Sequence, residues 1–194
     1  MKMKSLISMT ILISIGCIIL SGCKNSSTSE PINKSKTATN FTAHQDSIFN
    51  GNFVVKGESM SPTFQDGDEI FISYSNLTPE KGDILVINSY GLHETIIKRC
   101  IGTAGDKIKI DYNQNCVEVN GEIISNNYLC EAMRDKPTYN QEYCVSKGIY
   151  EYTVPYGRIF VMGDNRNCSS DSRMSVVGFI NIDNVLGKVI DKLQ

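Results

Sequence analysis

Hydrophobic positions along the chain fall into three regimes. From Leu6 to Leu20 they run almost without interruption, behind the basic start Met1-Lys2-Met3-Lys4. From residue 24 to about 50 they thin out among Ser, Thr, Asn and Lys. Beyond that they recur in short bursts that alternate with polar residues, the pattern of strands with one buried face. The bursts predict strands over Phe53–Lys56, Glu69–Tyr74, Asp83–Asn88, Thr95–Ile101, Lys107–Asp111, Cys116–Val119, Glu122–Ser125, Glu151–Val154, Arg158–Met162 and Gly187–Asp191. Asn120-Gly121 is a hairpin signal, since both residues tolerate positive φ. Gln65-Asp66-Gly67-Asp68, Lys81-Gly82-Asp83 and Gly105-Asp106 mark further turns. No long amphipathic helix and no internal repeat is visible. The expected fold class is mainly β, an antiparallel-sheet core in which residues 112–150, rich in Asn, Tyr, Glu and Lys, form a small irregular cap or insertion.

The first regime is shorter than the ~20 apolar residues that a spanning helix prefers and reads as a signal h-region. It closes with Leu20-Ser21-Gly22-Cys23, which resembles a bacterial lipobox, with Cys23 as the lipid-attachment residue. An uncleaved membrane anchor over residues 1–23 is the alternative. Either reading leaves Lys2 and Lys4 inside and delivers the rest to the extracytoplasmic side of the cell membrane. Residues 24–50 then form a flexible tether with a typical reach of about 25–30 Å. Residues 51–194 are left as the folded domain, held near a lipid surface.

A chain of 194 residues suits one domain, or a core with a small subdomain. A net charge of -2 offers no general basic surface and argues against a nucleic-acid partner. Beyond Cys17 and Cys23 there are Cys100, Cys116, Cys130, Cys144 and Cys168, an odd number that cannot all pair within the chain. No Cys-x-x-Cys occurs, so a zinc site has little support. Cys130 and Cys144 flank a loop-like stretch and could form a disulfide in an oxidising compartment. Cys168 reads as a small buried side chain.

The chemistry concentrates at Ser59 and Lys98. A serine needs a neighbouring base to become a nucleophile. Histidine is the usual base, but the chain has only two: His44 in a polar stretch and His93 in a turn. Lysine serves instead when burial depresses its pKa. In a strand, alternation puts Ile97 and Arg99 on the face opposite Lys98 and leaves Ile96 and Cys100 beside it to desolvate the ammonium. Ser59 follows an apolar strand and precedes Pro62, which ends regular pairing and leaves the hydroxyl at a strand end. A serine paired with a lysine is a known variant of the serine-hydrolase constellation.

Four segments carry a family resemblance. Val54-Val55-Lys56-Gly57-Glu58-Ser59-Met60-Ser61-Pro62-Thr63 resembles the nucleophile box of bacterial signal peptidase I. Ile97-Lys98-Arg99-Cys100-Ile101-Gly102-Thr103-Ala104-Gly105-Asp106 is similar to its lysine box. Phe160-Val161-Met162-Gly163-Asp164-Asn165-Arg166-Asn167-Cys168-Ser169-Ser170-Asp171-Ser172-Arg173 resembles its C-terminal box, and Lys81-Gly82-Asp83-Ile84-Leu85-Val86 fits the shorter box between. The four stand in the family's order. The resemblance implies a serine endopeptidase that removes signal peptides from exported precursors after small residues (Ala-x-Ala type). Ser59 would be nucleophile and Lys98 general base. The Ser59 N–H would be one oxyanion donor, and Gly57, where some members carry serine, would leave the second as its own N–H or a water. Ser169 would orient the lysine, and Asp171 with Arg173 would brace the site as an ion pair. No metal or organic cofactor is implied. Two rivals stand beside this reading: a specialised peptidase for a few pilus or conjugation substrates, and a catalytically idle surface lipoprotein that kept the fold as a binding module.

Overall fold

The computed structural model describes residues 50–193 apart from residues 126, 128, 130 and 137. The expectations for residues 1–49, Cys23 included, and for Cys130 lie outside the described residues. Among the described residues twelve strands carry the fold: β1 Asn50–Val54, β2 Glu69–Ser73, β3 Ile84–Ser89, β4 Glu94–Gly102, β5 Lys107–Asp111, β6 Cys116–Val119, β7 Glu122–Ile123, β8 Cys144–Ser146, β9 Ile149–Thr153, β10 Arg158–Met162, β11 Ile180–Asn181 and β12 Val185–Lys192. All pairings are antiparallel. The only helical elements among the described residues are two single turns of 3-10 helix, Gln141–Tyr143 and Ile182–Asn184. No helix among them is long and apolar enough to cross a membrane.

Ten strands lie where alternation predicts them, β5, β6 and β10 with the expected bounds and seven with shifted ends. β1 stops at Val54 instead of Lys56, because Val55 pairs its backbone with Asp68 and Gly67 across the next turn. β8 and β11 carry too few alternating residues to be visible in the sequence, at three and two residues. The expected irregular stretch 112–150 holds β6 to β9. With β5 these make a five-stranded sheet ordered β7-β6-β5-β9-β8.

The other sheet has seven strands in the order β1-β2-β12-β3-β4-β10-β11. The turn after β4 carries the chain between sheets. Gly102 lets them close, since a Cβ there would lie 2.8 Å from Ile108 Cδ1. Ile101, Phe160 and Met162 from the larger sheet pack with Ile108, Ile110, Val117, Tyr150 and Tyr152 from the smaller, so one apolar cluster joins the two. Two more clusters line the larger sheet, one around Leu85, Ile87, Ile96 and Cys100 and one around Met60, Phe64, Ile70 and Val86.

β4 organises the site. It pairs with β3 along Glu94–Arg99, but with β10 only from Arg99 onward. Its outer edge over Glu94–Lys98 therefore has no partner strand among the described residues.

Core and surface isoleucines of the smaller sheet should respond differently to truncation. Ile110 is fully buried and Ile123 is 67% exposed. Ile110→Ala is expected to cost about 2–5 kcal/mol, and Ile123→Ala within about 0.5 kcal/mol of nothing, both read from urea unfolding midpoints at unchanged slope.

Candidate active site

Ser59 sits in the turn after β1, and Lys98 near the middle of β4. Gly57 makes the turn possible with φ +77°, and its N–H donates to Asp66 Oδ1 at 2.7 Å. That bond removes the Gly57 N–H from the candidate oxyanion donors, so this part of the expectation is corrected. The Ser59 N–H has no acceptor among the described residues. Met60, 1% exposed, anchors the turn in the core.

Lys98 is 3% exposed on the face shared with Ile96 and Cys100, as alternation predicts. Its Nζ donates to Ser59 Oγ at 2.7 Å and to the Ile97 carbonyl at 2.8 Å. Burial lowers its pKa from the ordinary 10.5, against a weaker upward pull from the carboxylates of Asp171, Glu94 and Asp164. The pair stands in a groove of about 580 Å³ bordered by residues 53–60 on one side and 94–98 on the other, with Cys168 and Ser170 at its rim.

Asp171 and Arg173 form the expected ion pair, both fully buried. Arg173 grips the carboxylate through Nε at 2.8 Å and Nη2 at 2.9 Å, donates to the Arg166 carbonyl and lies over the Tyr139 ring. Burial alone would raise the Asp171 pKa, but the Arg173 charge and hydrogen bonds, with help from the Gly163 N–H and Ser169, hold it below the ordinary 3.8. Neither residue hydrogen-bonds to the dyad. They act through Gly163, whose N–H donates to Asp171 Oδ2 at 3.0 Å. A Cβ on Gly163 would lie 2.4 Å from the Ser59 carbonyl oxygen and 2.3 Å from Ser169 Oγ, so only glycine lets this loop lie against the nucleophile turn. Ser169 is buried beside it, and its hydroxyl has no fully formed hydrogen bond, to Lys98 or to any other described group.

Other participants could be assigned no partner from the sequence. Arg99, on the face opposite Lys98, makes a forked pair with the buried Asp164 at 2.8 and 2.6 Å, and Thr63 Oγ1 donates to the same carboxylate at 2.5 Å. The next residue, Asn165, donates its N–H to the Ser59 carbonyl at 3.0 Å. Asn167 ties the loop outward, accepting from Arg134 N–H at 2.9 Å and donating to the Ala132 carbonyl at 2.8 Å. The only local hints were an arginine beside Lys98 and an aspartate in the Gly-Asp-Asn turn.

One expectation about the cysteines changes. Cys168 is exposed at the groove rim instead of buried, because its neighbours Asn167 and Ser169 take the inward positions. Cys144 carries a free thiol that donates to the Ser146 carbonyl. Its expected partner Cys130 lies outside the described residues.

A serine hydroxyl bonded to a buried lysine amine beside an open groove is the layout of a serine hydrolase that uses lysine in place of histidine. The family model described as signal peptidase, peptidase S26, matches residues 37–192. The chain is similar to signal peptidase IB of Staphylococcus aureus (strain Mu50), 32% identical over 146 residues that cover 71% of this chain and 74% of that protein. It is similar to signal peptidase I U of Bacillus subtilis (strain 168), 34% identical over 147 residues that cover 72% and 73%. A solved signal peptidase I from Enterococcus faecalis V583 aligns with 59% of this chain and 97% of that one, at 29% identity and a TM-score of 0.44. On the family match and the two relatives, the chain belongs to the signal peptidase family, peptidase S26. It is a signal peptidase I-like serine endopeptidase that removes signal peptides from exported precursor proteins. Members of the family are membrane-associated. These relationships lend no support to the pilus or conjugation specialist or to the idle binding module.

The buried groups set two stability expectations. Asp171→Ala leaves the Arg173 charge buried without a partner and is expected to cost about 3–5 kcal/mol, whereas the double change Asp171→Leu with Arg173→Met should recover most of it. Denaturant unfolding of both variants checks the difference. For Lys98 the unfolded chain binds more protons than the native one at any pH between the depressed native pKa and 10.5, so this residue makes stability rise with pH across that window. Lys98→Met is therefore expected to be more stable than the native chain at pH 7, with the gap closing towards pH 10.5. Thermal melts across pH read the sign.

Proposed function

We propose that Ser59 is the nucleophile and Lys98 the general base of this signal peptidase, with the 2.7 Å contact between Lys98 Nζ and Ser59 Oγ as the carrying observation. With the amine neutral, its lone pair accepts the Ser59 proton as Oγ attacks the scissile carbonyl carbon. The Ser59 N–H, free of any described acceptor, donates to the resulting oxyanion. When the C–N bond breaks, Lys98 returns the proton to the leaving amine, which departs as the new N-terminus of the mature protein. A water then gives a proton to Lys98 as it attacks the acyl carbon, and when the acyl–Oγ bond breaks Lys98 returns that proton to Ser59, which releases the signal peptide as a carboxylic acid. Ser169 is the buried hydroxyl available to orient the amine while its lone pair turns to Ser59.

Substrate enters as a strand. The unpaired edge of β4 over Glu94–Lys98 offers backbone donors and acceptors beside the dyad, and an extended peptide pairing there presents its carbonyl to Ser59. Phe53, Val55, Met60, Ile96 and Ile97 line the groove and leave shallow apolar room suited to small residues before the cut. The domain works on the extracytoplasmic side, tethered at residues 1–23 either by lipid on Cys23 or by the uncleaved apolar run. Intact-mass analysis of the membrane-extracted chain separates those anchors.

Ser59→Ala, Lys98→Ala and Lys98→Arg are each expected to lower kcat/KM on a precursor ending in Ala-x-Ala by at least about 10³-fold, since the pair acts as one unit and guanidinium supplies no neutral base. Activity should climb as pH rises through the depressed Lys98 pKa, because only the neutral amine accepts a proton, and EDTA should leave it unchanged. Near-native turnover by Lys98→Arg, or full activity at pH 5, would falsify the lysine-base assignment.

A further inference from the structure

The path of a bound peptide continues past Ser59, and a second cavity lies where it leads. The argument rests on the reading that the large groove holds the segment before the cut. The outer edge of β4 is open over Glu94–Lys98 and taken by β10 from Arg99 onward. A peptide on the open stretch is thus collinear with β10, and beyond Lys98 it meets the chain leaving β10 at residues 163–166. Residues after the cut must turn out over that segment.

There a cavity of about 260 Å³ is bordered by Ser61, Glu131, Asp164, Asn165 and Arg166. It adjoins the nucleophile, since the Asn165 N–H is bonded to the Ser59 carbonyl. Its charges are already engaged: Asp164 with Arg99, Glu131 with Arg134 at 2.6 Å, and Arg166 with the Gly163 carbonyl at 3.1 Å. The Ser61 hydroxyl and the Asn165 amide differ. Both residues are part-exposed, and neither side chain has a hydrogen-bond partner among the described residues. We propose that this cavity is the subsite for the first residues of the mature chain, and that Ser61 and Asn165 select uncharged hydrogen-bonding side chains there over apolar ones. An apolar side chain would cover both groups and leave them unsatisfied, whereas Asn or Gln replaces the water they lose.

The test uses the full chain in detergent and two precursor peptides identical through the cut, one continuing Asn-Gln and the other Leu-Val. The expected kcat/KM ratio favours Asn-Gln by about 5- to 20-fold. It should fall about threefold or more in Ser61→Ala and in Asn165→Ala. Because the readout is a ratio between peptides, a general loss of activity in either variant cancels. The same preference is read as affinity on Ser59→Ala protein by anisotropy of the labelled peptides. Equal handling of the two peptides by the native chain, or a ratio unmoved in both alanine variants, overturns the subsite. Absence of cleavage with the affinity ratio intact tells against the dyad and supports the subsite.

Discussion

An amine buried to 3% exposure and one hydrogen bond from a serine is expensive to keep, and the rest of the molecule is arranged around that cost. Each unit by which burial depresses the Lys98 pKa corresponds to about 1.4 kcal/mol of differential interaction. Two of the three carboxylates that oppose the depression, Asp171 and Asp164, are held in ion pairs of their own. Asp171 is spent on Arg173 and Asp164 on Arg99. Were either carboxylate turned to Lys98, it would hold the ammonium charged and remove the base. The pairing of those two acids with arginines is therefore part of the chemistry as well as of the packing.

The same two ion pairs fix the nucleophile. Asp171 holds the Gly163 N–H, Gly163 lies against the Ser59 carbonyl and Ser169, and Asn165 bonds to that carbonyl from the next turn of chain. From the other side Asp66 holds the Gly57 N–H and Met60 is sunk in the core. Ser59 is thus clamped between two loops, one held by a buried ion pair and the other by the buried Met60 side chain and the exposed Asp66 bond. A paired, desolvated ion pair is weak as a source of stability but costly to break, which suits it to holding a geometry.

The sheet itself is incomplete in a useful place. β10 pairs with only the second half of β4, and the first half is left open beside the dyad. A protein that left such an edge exposed without purpose would risk pairing with other chains. Here the open edge, the groove and the reacting groups coincide, so backbone pairing that binds a peptide also delivers its carbonyl to Ser59.

The alternating pattern over residues 53–191 determined ten of the twelve described strands, and the order of four short segments determined the pairing of Ser59 with Lys98 and of Asp171 with Arg173. Both are local statements: alternation says which side chains share a face, and a motif says which residue types sit close along the chain. Tertiary structure alone decided what depends on the neighbour. That Arg99 meets Asp164 across a separation of 65 residues, that Asp66 takes the Gly57 N–H, and that Cys168 faces outward are consequences of which loops lie against which. One outer strand of each sheet was hidden for the same reason. β8 and β11 are three and two residues long and alternate too briefly to signal, and they hold their place only because β9 and β10 offer them a ladder. Alternation records which face is buried, while strand order and loop contact depend on pairing energies between distant residues, which no local pattern encodes.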